Sequence, residues 1–126
     1  MSDRPLNTSE PGIAFKIVDR AEWEAALPLG LYGGSAVDRA DGYIHLSTAE
    51  QVVETLRRHY AGRSDLLALT VDLTRLDEAP VWEESRGGAL FPHLYAPLPA
   101  RAVTATQALS VTADGTPVVE GPAPWV

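Results

Sequence analysis

The stretch Asp41-Gly-Tyr-Ile-His-Leu-Ser-Thr-Ala-Glu50 decides the fold class. Asp41-Gly42 is turn chemistry, Tyr43 to Leu46 reads as a short strand, and Ser47-Thr-Ala-Glu50 is the capping-box pattern that opens a helix. In that pattern the serine hydroxyl accepts a hydrogen bond from an amide in the first helical turn. A strand therefore feeds straight into a helix, on which Val52, Val53, Leu56 and Tyr60 form one apolar face. Gly62 stops it.

Upstream, Ile13, Phe15 and Ile17 alternate with Ala14, Lys16 and Val18 as a first strand. Asp19 with Glu22 is a variant capping box for a short helix through Trp23, Ala26 and Leu27, which Pro28 and Gly30 end. Leu31 to Asp41, with Gly33-Gly34 inside it, reads as a loop. Downstream, Leu67, Leu69 and Val71 predict a central strand, Pro80 to Glu84 another and Ala102 to Val111 a last one. Strands and helices mix without a regular βαβ rhythm, so the expectation is an α+β fold around a twisted, mostly antiparallel sheet. Residues 1–12 are polar with two prolines, and 112–126 are rich in Pro, Gly and Ala. Both read as loose ends around a single domain, 13–111.

The chain has 126 residues, 45% apolar and 21% charged, which is enough for one core without staples. It lacks cysteine, which removes disulfides, thiolate catalysis and cysteine-bound metals. A net charge of -7 with one lysine, Lys16, argues against a nucleic-acid partner, although Arg57, Arg58 and Arg63 could hold one phosphate. No apolar run reaches the length of a membrane span, and the N-terminus has no signal-peptide core. A cytoplasmic protein with a small-molecule or nucleotide ligand is the expectation; the sequence leaves oligomeric state open.

Two stretches carry chemistry. On a strand at Tyr43–Leu46, the side chains of Tyr43, His45 and Ser47 share a face while Ile44 and Leu46 turn to the core. An imidazole, a phenol and a hydroxyl then sit beside a helix start, where free N–H groups attract ligands. The plainer alternative is a wet strand face on which Ser47 only caps. The second stretch is Val81-Trp-Glu-Glu-Ser-Arg-Gly-Gly-Ala-Leu-Phe-Pro-His-Leu-Tyr95. Pro92 favours an extended Phe91, so His93 and Tyr95 face together. Only one of Glu83 and Glu84 can turn to the same pocket, where it would tune a histidine or orient a substrate hydroxyl. Alternatively, Glu84–Arg86 is a surface ion pair and His93 a structural histidine. His45, His93 and one glutamate would also make a two-His-one-carboxylate metal set, though no metal-binding spacing accompanies them. Gly33-Gly34-Ser35 reads as a turn, and His59 as a residue complementing a helix end.

At Phe15-Lys-Ile-Val18, Asp41-Gly-Tyr-Ile-His-Leu-Ser47, Trp82-Glu-Glu-Ser-Arg-Gly-Gly88 and Leu90-Phe-Pro-His-Leu-Tyr95, the chain resembles the bacterial domain-of-unknown-function family 952. The resemblance covers about residues 13 to 109 and brings no established activity with it. It implies an architecture similar to the ADP-ribosyltransferase group, a compact α+β fold whose split sheet binds NAD in a cleft. Tyr43-Ile-His-Leu-Ser47 is similar to a segment of that group's tRNA 2′-phosphotransferase branch. On that similarity His45 and Ser47 line the nicotinamide-ribose pocket, and Glu83 or Glu84 holds the ribose hydroxyl. Lys16 stands where that branch has a histidine that binds NAD, and Arg39 and Arg86 are candidates for its phosphate-gripping arginines.

The reading that follows is an NAD- or nucleotide-binding domain acting at the nicotinamide–ribose bond. Its catalytic candidates are His45, Glu83, Glu84 and His93, and its cofactor-binding candidates are Lys16, Tyr43, Ser47, Arg86 and Tyr95. A non-catalytic binding module for a metabolite or peptide is the second reading, and a metal-dependent hydrolase the third.

Overall fold

The computed structural model describes residues 12–126. The expected loose segment 1–12 lies, but for Gly12, outside the described residues, as does the side chain of Arg86. Strand β1 (Ile13–Asp19) pairs antiparallel with β4 (Leu66–Asp72), β4 with β8 (Val103–Val111), and β8 with β9 (Pro117–Val119). A second sheet has the order β3 (Ile44–His45), β6 (Leu90–Leu94) and β5 (Val81–Glu84), again antiparallel. A short ladder joins β2 (Leu31–Tyr32) to β7 (Leu98–Pro99). The helices are α1 (Arg20–Ala26), α2 (Ala36–Asp41) and α3 (Val52–His59), each short. This is a mixed α+β fold with antiparallel sheets. Among the described residues no helix is long and apolar enough to cross a membrane.

Both faces of the four-stranded sheet are covered, which is why β1 and β4 read as nearly continuous apolar runs. Ala14, Val18, Leu67, Leu69 and Val71 pack with Trp23 of α1 and with Ile44 and Leu94 of the second sheet. Phe15, Ile17, Leu66, Ala68 and Leu109 pack against Val52 and Leu56 of α3. Of β1, only Lys16 is both buried and charged.

Three expectations change. Leu31–Asp41 is not all loop: it holds β2 and the helix α2. Ser35 is the true capping residue there, its hydroxyl accepting from the Asp38 amide while the Asp38 carboxylate accepts from the Ser35 amide. Ser47 does not cap α3, which begins five residues later with no side-chain cap. Its backbone instead exchanges two hydrogen bonds with Phe15, at 2.8 and 2.9 Å, tying the second sheet to β1. Its hydroxyl meets Thr55 at 3.0 Å. The segment from Thr112 is not loose either, because Val118 and its neighbours extend the first sheet as β9 and Trp125 packs on the α3 side of the core. Its Pro and Gly content shaped turns around a strand, and composition alone does not separate the two.

Candidate functional site

The register of the second sheet gathers the polar side chains. His45 on β3 lies directly opposite His93 on β6, and His93 lies opposite Val81 on β5. Residues directly opposed share a face, and so do alternate residues of one strand. His45, Phe91, His93 and Glu83 therefore occupy one side of the sheet, with Tyr43 and Tyr95 just beyond the strand ends packed against them, while Ile44 and Leu94 face the core. Glu84 falls on the other side, exposed. Between the two glutamates it is Glu83 that meets the histidine.

Glu83 Oε1 accepts from His93 Nδ1 at 2.6 Å and from the Tyr95 hydroxyl at 2.8 Å. Those hydrogen bonds, His93 first, hold the Glu83 carboxyl below its ordinary value, and the bond to Glu83 pushes the Tyr95 phenol up in return. Tyr43 stacks on His93 with ring centroids 4.0 Å apart and 23° between planes, and tilts against His45 at 4.7 Å. Burial first, then the charges of Asp41 and Glu83, raise the Tyr43 phenol.

A second network supports His45. Asp38 Oδ1 faces His45 Nδ1 at 2.6 Å and also accepts from the His45 amide at 3.1 Å. Asp41 Oδ2 faces the other ring nitrogen at 2.9 Å. Behind them Lys16 Nζ reaches Asp38 Oδ2 at 2.8 Å. Burial pushes the Asp38 carboxyl up, but the His45 hydrogen bond and Lys16 outweigh it and hold the group well below the carboxylate range. Burial likewise lowers the Lys16 ammonium, with Asp38 offsetting part of the effect.

These groups border a cleft of about 820 Å³ lined from β1, α2, β3, α3 and the turn before β6. Tyr43, His45, Ser47 and His93 line it, and Glu83 and Tyr95 join the cluster through His93. Lys16 reaches the wall, but its amine is committed to Asp38. The arginines read as a phosphate patch are engaged elsewhere: Arg57 and Arg58 share Glu54, and Arg63 pairs with Asp19. Arg39 donates to the Gly34 carbonyl. Among the described residues no three His, Asp or Glu side chains converge as a metal set.

Asp38 and Asp41, which bracket His45, are absent from the sequence-based site. Ser35-x-x-Asp38 carried a signal for Asp38, since a serine three residues before an aspartate is a capping pattern and places a carboxylate in a first helical turn.

Residues 17–106 match a family model described as a protein of unknown function (DUF952). No curated protein matches the chain. Among solved structures, the X-ray structure of protein CC0527 from Caulobacter crescentus is 49% identical, with a TM-score of 0.78, covering 84% of this chain and 93% of that one. The solution NMR structure of the same protein is 48% identical, with a TM-score of 0.73, covering 85% and 92%. A match across most of the folded chain, with structures of nearly half-identical sequence beside it, settles the kinship: the chain belongs to the DUF952 family.

Proposed function

We propose that the cleft binds NAD or a related nucleotide and that the protein acts at the nicotinamide–ribose bond, by transfer or by hydrolysis. Glu83 is the observation that carries this reading. Its carboxylate is ionised, oriented by two donors, and set among aromatic rings beside a cleft large enough for a nucleotide. A carboxylate so placed stabilises positive charge as it develops on the ribose when the bond to the nicotinamide nitrogen breaks, and it accepts a hydrogen bond from a ribose hydroxyl. The bonding pair leaves with nicotinamide, and water or another acceptor takes the sugar carbon. The two antiparallel sheets, joined at Phe15 and Ser47, support kinship with the split-sheet ADP-ribosyltransferase fold.

His45 acts as a positioning residue on this reading, because both of its ring nitrogens face carboxylates. That same saturation favours the second reading, a binding module without chemistry. Chromatography of NAD incubated with the protein separates the two. Nicotinamide release by the wild type, lost in Glu83→Gln while calorimetric NAD binding is weakened but still measurable, supports the enzyme. Binding without release supports the module, and absence of both ends the NAD reading.

A further inference from the structure

The rings around Glu83 form a surface suited to one sign of charge. Tyr43 meets His93, His45 and Tyr95 with centroids at 4.0, 4.7 and 5.2 Å. Tyr95 is 48% exposed, so its ring remains available to a ligand. Aromatic faces carry negative electrostatic potential and attract cations, more strongly where water is partly excluded. Two carboxylates border the rings. Glu83 places both of its donors on Oε1, and Asp41 uses Oδ2 for His45. Among the described residues neither Glu83 Oε2 nor Asp41 Oδ1 has a protein donor.

The adjoining cleft, which neither Glu83 nor Tyr95 lines, is itself rich in carboxylates. Asp19, Glu22, Glu50 and Glu54 line it along with Arg58 and Arg63, and the two arginines are already paired with Glu54 and Asp19. Lys16 is spent on Asp38.

We infer that Tyr43, Tyr95, Glu83 and Asp41 form a subsite for a flat organic cation, the class that includes the pyridinium ring of oxidised nicotinamide. The subsite rests on the proposed NAD function only for which cation it serves. A neutral ring would gain stacking alone, whereas a cationic ring gains stacking and the attraction of both carboxylates. Discrimination between charged and neutral rings is then built into binding, before any bond breaks.

Calorimetric titration of the full chain with 1-methylnicotinamide, a cation, and with neutral nicotinamide tests this. The cation is expected to bind about tenfold more tightly. Tyr43→Leu is expected to abolish the preference, and Tyr43→Phe, which keeps the ring, to retain it. Tyr95→Leu, at an exposed position, gives a second loss without touching the core. Equal affinity for the two rings, or no binding of the cation at millimolar concentration, overturns the subsite. If NAD binds but the cationic ring has no advantage, the subsite falls and the NAD reading stands. If 1-methylnicotinamide binds and NAD does not, the outcome is reversed.

Discussion

The ammonium of Lys16 lies 2.8 Å from the Asp38 carboxylate, with only 3% and 2% of the two side chains exposed. The chain's one lysine thus neutralises a carboxylate inside the fold. Through Asp38 the pair reaches His45, so the burial of a charge on β1 fixes a ring at the edge of the cleft.

Asp38→Asn should therefore destabilise the protein by about 3–5 kcal/mol, because it leaves the lysine buried without its counter-charge. Urea denaturation measures the loss. A value below about 1 kcal/mol, the size of an exposed pair, would mean that Lys16 finds water when Asp38 is neutralised. Lys16→Met should be costly as well, and less than additive with Asp38→Asn, since either change breaks the same pair.

Acid should expose the same pair. The folded protein holds the Asp38 carboxyl below its ordinary value, so the unfolded chain binds the proton more readily. Stability from this group is present above the ordinary carboxylate range and is lost as pH falls toward the depressed folded value. The wild type should weaken from about pH 5 downward, and Asp38→Asn should show a shallower acid limb. Parallel limbs would assign the acid sensitivity to other carboxylates.

Periodicity revealed the strands, because alternation and apolar runs are local properties of β1, β4 and β8. It also placed Tyr43, His45, His93 and Tyr95 on shared faces, since side-chain direction on a strand follows from position alone. It could not bring β3 beside β6, which decides that His45 opposes His93, because register across a long connection is a tertiary property. Nor could it choose between Glu83 and Glu84 until β5 had a partner. Ser47 misled for a related reason. Its capping pattern is real in sequence, but its backbone is used to join the two sheets, and a residue locked into a bridge does not start a helix. Asp38 was hidden because its carboxylate serves a helix cap, a lysine on β1 and a histidine on β3 at once.

Gly34 offers a steric route to the same network. Its φ of +105° lies in the left-handed region, and a Cβ there would stand 2.8 Å from Asp38 Cβ. Gly34→Ala should lower stability by about 1–3 kcal/mol from backbone strain and the forced shift of α2. Because Asp38 must move, the His45 ring resonances in NMR spectra should shift as well. An unchanged His45 spectrum beside a destabilised fold would show that Asp38 does not set the ring's position.

The Glu83–Tyr95 bond predicts a signature that depends on no ligand. An ionised Glu83 accepting from the Tyr95 hydroxyl opposes loss of the phenolic proton, which raises that phenol above an ordinary tyrosine. Replacing the carboxylate by an uncharged amide in Glu83→Gln removes the negative charge, so Tyr95 should ionise at lower pH. Ultraviolet titration follows the change, and Tyr95→Phe identifies which of the tyrosine transitions is its own. A Tyr95 transition that stays in place after Glu83→Gln would show that the carboxylate does not govern the phenol in solution.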